Sequence, residues 1–364
     1  MKRSTRLEGV LWAALWALAG CDAPAESGRG AAADARPDAA AVVTDAEPGD
    51  AHADAAPLPS PTCAPPFFPP DAPWNRDVTA APTAADSASI IGHLADVGFG
   101  LGRLQTDFSF DYFCAAEDTP TQTFTPTGDF YTPDCDAVPM PVPPGARLEG
   151  EAGLECTTDG DCHLLVLQPG AARLYEMWRA DFSGGVFAGG CLAVWDLSRA
   201  PGPEGRGRGC TSADAAGLPI TPLLFDADEG AAGEIRHAIR FILPNDRIRS
   251  RAYVPPATHA TGAASGGADS PPYGAHLRLR ADFDLARLPN EAARTVARAL
   301  QRHGMFLADG GNVALTARSD AQTTAKWATL GFDSHSLEAI TPSDFEVLDA
   351  GPAQAWDGDC VRAP

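Results

Sequence analysis

The chain has 364 residues, 48 acidic and 27 basic, for a formal net charge of −21. A surface that acidic repels phosphate backbones, which excludes nucleic acid as a partner. Hydrophobic residues make up 45% of the sequence, enough for a sizeable core.

The N-terminus carries Lys2, Arg3 and Arg6, followed by an apolar run from Val10 to Ala19. That run is too short for a permanent membrane helix, which needs about 20 residues, and fits a secretory signal. Leu18-Ala19-Gly20-Cys21 resembles the lipobox of bacterial lipoproteins. The resemblance implies cleavage before Cys21, acylation of its thiol and attachment to a lipid bilayer outside the cytoplasm, at the periplasmic face or the cell surface. Residues 22–62 hold no aromatic residue and an excess of acids, so they read as an extended, disordered tether. The remaining 63–364 read as one disulfide-stabilised, monomeric domain.

Nine cysteines less Cys21 leave eight, an even set that suits an exported chain. Short loops close at least entropic cost. That favours Cys156–Cys162, Cys114–Cys135 and Cys191–Cys210, leaving Cys63–Cys360 to join the ends.

In chain order, residues 84–97 place Ile90, Ile91, Leu94 and Val97 on one helical face. His163 to Leu167, a turn at Pro169-Gly170 and Arg173 to Arg179 form a hairpin, and Cys191 to Leu197 is a further strand. From Glu234 to Ile242, Ile235, His237, Ile239 and Phe241 alternate with Glu234, Arg236 and Arg240. Strands at 252–254 and 276–283 flank a long surface loop at 261–273. Residues 290–303 form a helix with Asn290 as N-cap and Gly304 as its stop. Asp309-Gly310-Gly311-Asn312 then turns between strands at 305–308 and 313–316. The fold expected is mainly β: an antiparallel sandwich, jelly-roll-like fold or irregular barrel with two or more helices added.

From Trp74 to Asp349 the chain resembles a family of uncharacterised exported bacterial proteins. The likeness rests on DGDCHLLVL from Asp159, LYE at Leu174–Glu176, TSADAAGLPI from Thr211, GEIRHAIRF from Gly233, PPYGAHLRLRADFD from Pro271 and GMFLADGGN from Gly304, with PWN at Pro73–Asn75. In that pattern an arginine usually precedes the histidine, whereas Cys162 stands before His163 here. The resemblance implies a shared fold and site, with no reaction attached.

Asp159, Asp161 and His163 alternate into a strand and so share a face. They suit a divalent cation, calcium held by Asp159 and Asp161, or an acid/base pair. Glu176 sits between Leu174 and Trp178 on an apolar face, which is costly unless the carboxylate is paired or used. His237 lies on an apolar face and His259 opens the long loop. Ser212 and Asp214 read as caps of a short helix. Tyr175, Trp178, Arg236, Tyr253, Asp309 and Asn312 are the candidate substrate contacts. HExxH, GxSxG, P-loop and dinucleotide signatures are absent. The expectation is a carbohydrate-active enzyme, a glycoside hydrolase using Asp161 and Glu176 or a polysaccharide lyase using His163 or His237. The alternative is a non-catalytic surface lipoprotein that binds a glycan or protein.

Overall fold

The computed structural model describes residues 63–158, 160–202 and 204–363. The signal segment, Cys21, the tether and Asp159 lie outside the described residues.

Ten strands build two main sheets. They are β1 (Thr106–Phe110), β2 (Tyr112–Cys114), β3 (Leu164–Gln168), β4 (Arg173–Trp178) and β5 (Cys191–Asp196), then β6 (Ile239–Leu243), β7 (His276–Leu279), β8 (Met305–Gly310), β9 (Leu315–Arg318) and β10 (Phe345–Val347). The larger sheet runs β1-β9-β6-β8-β7-β10 and the smaller β5-β4-β3-β2. Neither closes into a barrel, and both carry parallel as well as antiparallel neighbours. The expected mainly β fold with added helices is the one observed.

The smaller sheet explains its own sequence. Leu165, Leu167, Leu174, Ala193 and Trp195 face the main core. Leu164, Val166, Met177 and Leu192 face a second core with Phe124, Met140 and Phe187. A sheet covered on both faces needs an unbroken apolar run, which Leu164–Leu167 supplies. The β3–β4 hairpin forms as expected, with Leu165 opposite Glu176, and turns through Ala172 in the left-handed region.

The chain passes from the larger sheet to the smaller at Asp111, between β1 and β2. The Asp111 carboxylate is buried and bonded by Arg147 and by Ser319 Oγ (2.8 Å). Helix α1 (Ser87–Val97) starts three residues later than expected. Two short helices were not expected: α2 (Ala227–Ala232), with an Asp226–Glu229 capping box, and α4 (Trp327–Leu330). Between them in the chain, α3 (Glu291–Arg302) matches the expectation. Asn290 accepts the Ala293 N–H at 2.8 Å, and Ala293, Val296, Ala297 and Leu300 are buried. Gly304 is at φ +72°, where a Cβ would lie 2.6 Å from the Leu277 carbonyl oxygen.

Several expectations are corrected. The strand expected over Glu234 to Ile242 begins only at Ile239, and Arg240 is buried because both faces of the sheet are covered there. Asp309–Asn312 is not a hairpin turn, because β6 lies between β8 and β9. The loop at 261–273 is tied down by Ser265 N–H to Asn245 O (2.8 Å) and Gly266 N–H to Ile248 O (2.7 Å). No helix forms at 213–217.

The disulfides are Cys63–Cys114, Cys135–Cys191, Cys156–Cys162 and Cys210–Cys360. Of the four expected pairings only Cys156–Cys162 forms. Each doubling of loop length costs only about 0.6 kcal/mol, so strand pairing outweighs proximity in sequence. Four disulfides suit an oxidising environment outside the cytoplasm. Among the described residues no helix is long and apolar enough to cross a membrane.

The Cys210–Cys360 bridge spans 150 residues and Cys156–Cys162 only 6. Replacing Cys210 and Cys360 by Ser is expected to cost about 2–5 kcal/mol in denaturant unfolding, and replacing Cys156 and Cys162 distinctly less. Equal costs would contradict this ranking.

Candidate functional site

A cavity of about 410 Å³ opens beside the ends of β4 and β8. Five expected site residues line it or stand directly behind its wall. Asp161, Trp178, His259 and Asp309 line it, and His163 bonds Ala213 from behind.

The floor is organised by Arg240 on β6. Its Nε and Nη2 donate to the two carboxylate oxygens of Asp214, at 2.9 and 2.8 Å. Nη2 also reaches Asp309 Oδ2 at 3.2 Å, and Nη1 donates to Thr316 Oγ1 at 3.0 Å. Arg240 is 3% exposed and Asp214 1%. The register between β6 and β8 slips after Phe241, so that Ile242 faces Asp309 with Ala308 as the extra residue. In an unbroken register Asp309 would share the Leu307 face; the bulge turns it toward Arg240. It also frees the Ala308 carbonyl, which accepts the Ala216 N–H at 2.8 Å. That bond holds the 211–217 loop over the sheet. The loop turns through Gly217 at φ +73°, where a Cβ would sit 2.2 Å from Thr258 Oγ1.

The Asp309 side chain is 23% exposed. Its enclosed position pushes its pKa well above the ordinary carboxylate range, the Asp214 carboxylate adds to the rise, and Arg240 offsets only part of it. The shift favours the protonated form of Asp309, while Oδ1 accepts the Gly310 N–H at 2.7 Å and Oδ2 the Arg240 guanidinium at 3.2 Å. Asp161 is exposed, and its Oδ1 accepts the Trp178 Nε1–H at 2.8 Å.

His163 is not available as a base. Nδ1 donates to Glu149 Oε2 at 2.6 Å and Nε2 to the Ala213 carbonyl at 2.9 Å. Both partners are acceptors, so both nitrogens carry hydrogen and the ring is cationic. Burial opposes that charge, but the Glu149 carboxylate outweighs burial and pushes the His163 pKa up to about 9. His163 therefore positions the Ala213–Asp214 backbone. His259 behaves differently. Nδ1 donates to the Ala215 carbonyl at 2.6 Å, and burial lowers its pKa. Nε2 makes no hydrogen bond among the described residues, which leaves a neutral imidazole with an open nitrogen in the cleft. The Trp356 ring stands against it at 4.7 Å.

Glu176 is not in the cleft. It is fully buried and accepts from Trp195 Nε1 (2.9 Å) and from the backbone N–H groups of Ile220 (2.9 Å) and Thr221 (2.7 Å). The carboxylate on the apolar face is thus a staple between the smaller sheet and the 218–223 segment. His237 is also remote. It pairs with Glu229 at 3.3 Å and donates to the Ala238 carbonyl. Burial works against a charged ring, and Glu229 outweighs it, holding His237 above its usual value. Arg236 and Asn312 are exposed, Tyr253 is buried and Tyr175 packs against the second core; none lines the cavity.

For a cation, Asp159 lies outside the described residues. Among the described residues the two groups with ligand spacing, Asp134-Cys210-Cys360 and Glu151-Cys156-Cys162, rely on cysteines already joined in disulfides, which offer no thiolate. A larger hollow of about 710 Å³ flanks β5. Its arginines are already engaged: Arg206 and Arg362 with Asp136 (2.8 Å each), Arg173 and Arg199 with Asp196 (3.0 and 3.4 Å).

The sequence reading missed Arg240, Glu149 and Trp356, and took Asp214 for a cap. A signal was present: Asp214 and Arg240 each sit within apolar stretches, and buried charges come in pairs. No family model, curated protein or solved structure matches the chain.

Two outcomes test this geometry. Arg240→Met leaves Asp214 buried without its partner and is expected to cost about 3–5 kcal/mol, most of it recovered when Asp214→Leu is added; additive losses in urea titrations would refute the pairing. For His163, whose folded pKa is raised from 6.5 to about 9, stability is fully present below pH 6.5 and lost as pH rises through 9. The loss is roughly 3 kcal/mol, from 1.36 kcal/mol per unit. Glu149→Gln should flatten that alkaline slope in thermal melts.

Proposed function

We propose that this cleft belongs to a glycoside hydrolase carried on an exported, membrane-anchored lipoprotein. The observation that supports it is the partly open Asp309, its pKa raised, sharing one cavity with Asp161, between the indole walls of Trp178 and Trp356. Glycosidic cleavage needs a carboxylic acid to protonate the leaving oxygen and a second carboxylate across the bond. Asp309 is the acid. Enclosure and, after it, the Asp214 carboxylate raise its pKa, and Asp214, consumed by Arg240, is itself too enclosed to reach substrate. That enclosure also disfavours a peptidase in which two aspartates act symmetrically on water. Asp161 is the second carboxylate, oriented by Trp178. His259 offers a further proton acceptor. The indole faces give sugar rings a surface to stack on.

A lyase is the weaker reading. It requires a free cation against the uronate carboxylate, and Arg240 is spent on Asp214 and Asp309. The lipid anchor rests on the basic start, the short apolar run and the Leu18–Cys21 motif, together with disulfides suited to an extracytoplasmic site.

The test is a reducing-end screen of the chain, expressed under oxidising conditions, against a polysaccharide panel. New ends are expected, with Asp309→Asn lowering kcat about 10²–10⁴-fold and Glu176→Gln acting on stability instead. The anomer released, read by NMR, separates Asp161 as nucleophile (retention) from Asp161 as base toward water (inversion). Retention on an immobilised glycan without cleavage would point to the non-catalytic binding reading. Palmitate labelling of the wild type, lost in Cys21→Ala, checks the anchor; label persisting in that variant would rule it out.

A further inference from the structure

The charges around the cavity are one-sided. Asp134, Asp161, Asp214 and Asp309 all line it, and none of its described lining residues is a lysine or arginine. Asp214 is neutralised by the two-pronged Arg240 contact. The Asp161 and Asp134 carboxylates make no ion pair among the described residues, and the nearby Arg206 and Arg362 donate to the Asp134 backbone carbonyl, at 2.6 and 2.8 Å, instead of its carboxylate. Asp161 Oδ1 accepts from Trp178 Nε1, and Asp134 Oδ2 accepts from the Thr211 N–H at 2.9 Å. The other oxygen of each has no hydrogen bond among the described residues. Three aromatic side chains, Tyr131, Trp178 and Trp356, share the cavity with them. Arg179 stacks on Trp178 at 4.8 Å and Arg251 on Trp356 at 4.9 Å. Neither arginine lines the cavity, so both rings already engage one cation from outside.

Carboxylate oxygens beside aromatic faces form an environment for a small organic cation, which gains both from the ion pair and from the ring quadrupole. A neutral sugar gains only the stacking. A uronic acid meets the Asp134 and Asp161 carboxylates, and no lysine or arginine stands among the described lining residues to receive it. Building on the hydrolase reading, we infer that the glycan taken here carries free, protonated amino groups, as in a de-N-acetylated hexosamine chain, in preference to N-acetylated or uronic-acid chains. Asp134 serves as a specificity residue, outside the acid pair.

The test separates binding from turnover. The Asp309→Asn chain is titrated at pH 5.5 with glucosamine, N-acetylglucosamine and galacturonic acid tetramers, read by indole fluorescence and calorimetry. The glucosamine tetramer is expected to bind about tenfold tighter than its N-acetylated counterpart, with the gap closing in 1 M salt and no uptake of galacturonate. Asp134→Asn retains an oxygen to accept the Thr211 N–H, so it should fold normally and lose most of the preference. Equal or tighter binding of the N-acetylated or uronate tetramer would overturn the inference. Wild-type cleavage of neutral chains without an amine preference would overturn it while leaving the hydrolase intact. An amine preference without any cleavage would uphold it and sink the hydrolase.

Discussion

The guanidinium of Arg240, buried in the larger sheet, dictates how the site is assembled. A lone cation there would cost several kcal/mol, so an anion must be brought to it. Asp214 meets it with both oxygens, which obliges the 211–217 loop to lie across the sheet. The β8 bulge supplies the other half of the arrangement, because the same extra residue aims Asp309 at Arg240 and frees a carbonyl to hold that loop. Enclosure raises the pKa of Asp309, and the Asp214 carboxylate drawn to the same guanidinium raises it further.

The cleft lies where several separate pieces of chain meet. Asp161 and Trp178 come from the ends of the β3–β4 hairpin, Asp309 from the larger sheet and His259 from the segment after β6. Trp356 comes from the C-terminal tail. Its indole donates to the Gly209 carbonyl, and the Cys210–Cys360 bridge fixes the tail nearby. His163 and Glu149 form an ion pair behind the wall that supports the Ala213 carbonyl. Much of the buried charge in this protein thus serves to position backbone, as Glu176 does for Ile220 and Thr221.

Local elements were legible where one short segment contains its own cause. The β3–β4 hairpin follows from apolar runs around a turn, and α3 from its cap, stripe and stop. The cost of burying Glu176 was correctly sensed, but a carboxylate needing partners reads the same whether they are substrate groups or backbone amides. Asp161, His259, Trp178 and Asp309 were singled out by residue type and do share the cavity. Arg240 was read only as lying on the face opposite Phe241, with Glu234 and Arg236; alternation alone carries no sign that this face is covered as well.

By itself the sequence determined the mainly β class, the extents of the strongest strands and of α3, the cysteine inventory of an exported chain and the short list of ionisable groups. Periodicity, capping and composition act over a few residues and can be read in one dimension. Tertiary structure alone decided how the other six cysteines pair, which histidine is a fixed cation and which a neutral base, and which carboxyl group has its pKa raised. These depend on neighbours met along the chain at distances from 14 residues, as with His163 and Glu149, to 150, as with Cys210 and Cys360. Burial and charge there are set by packing, for which local pattern carries no signal.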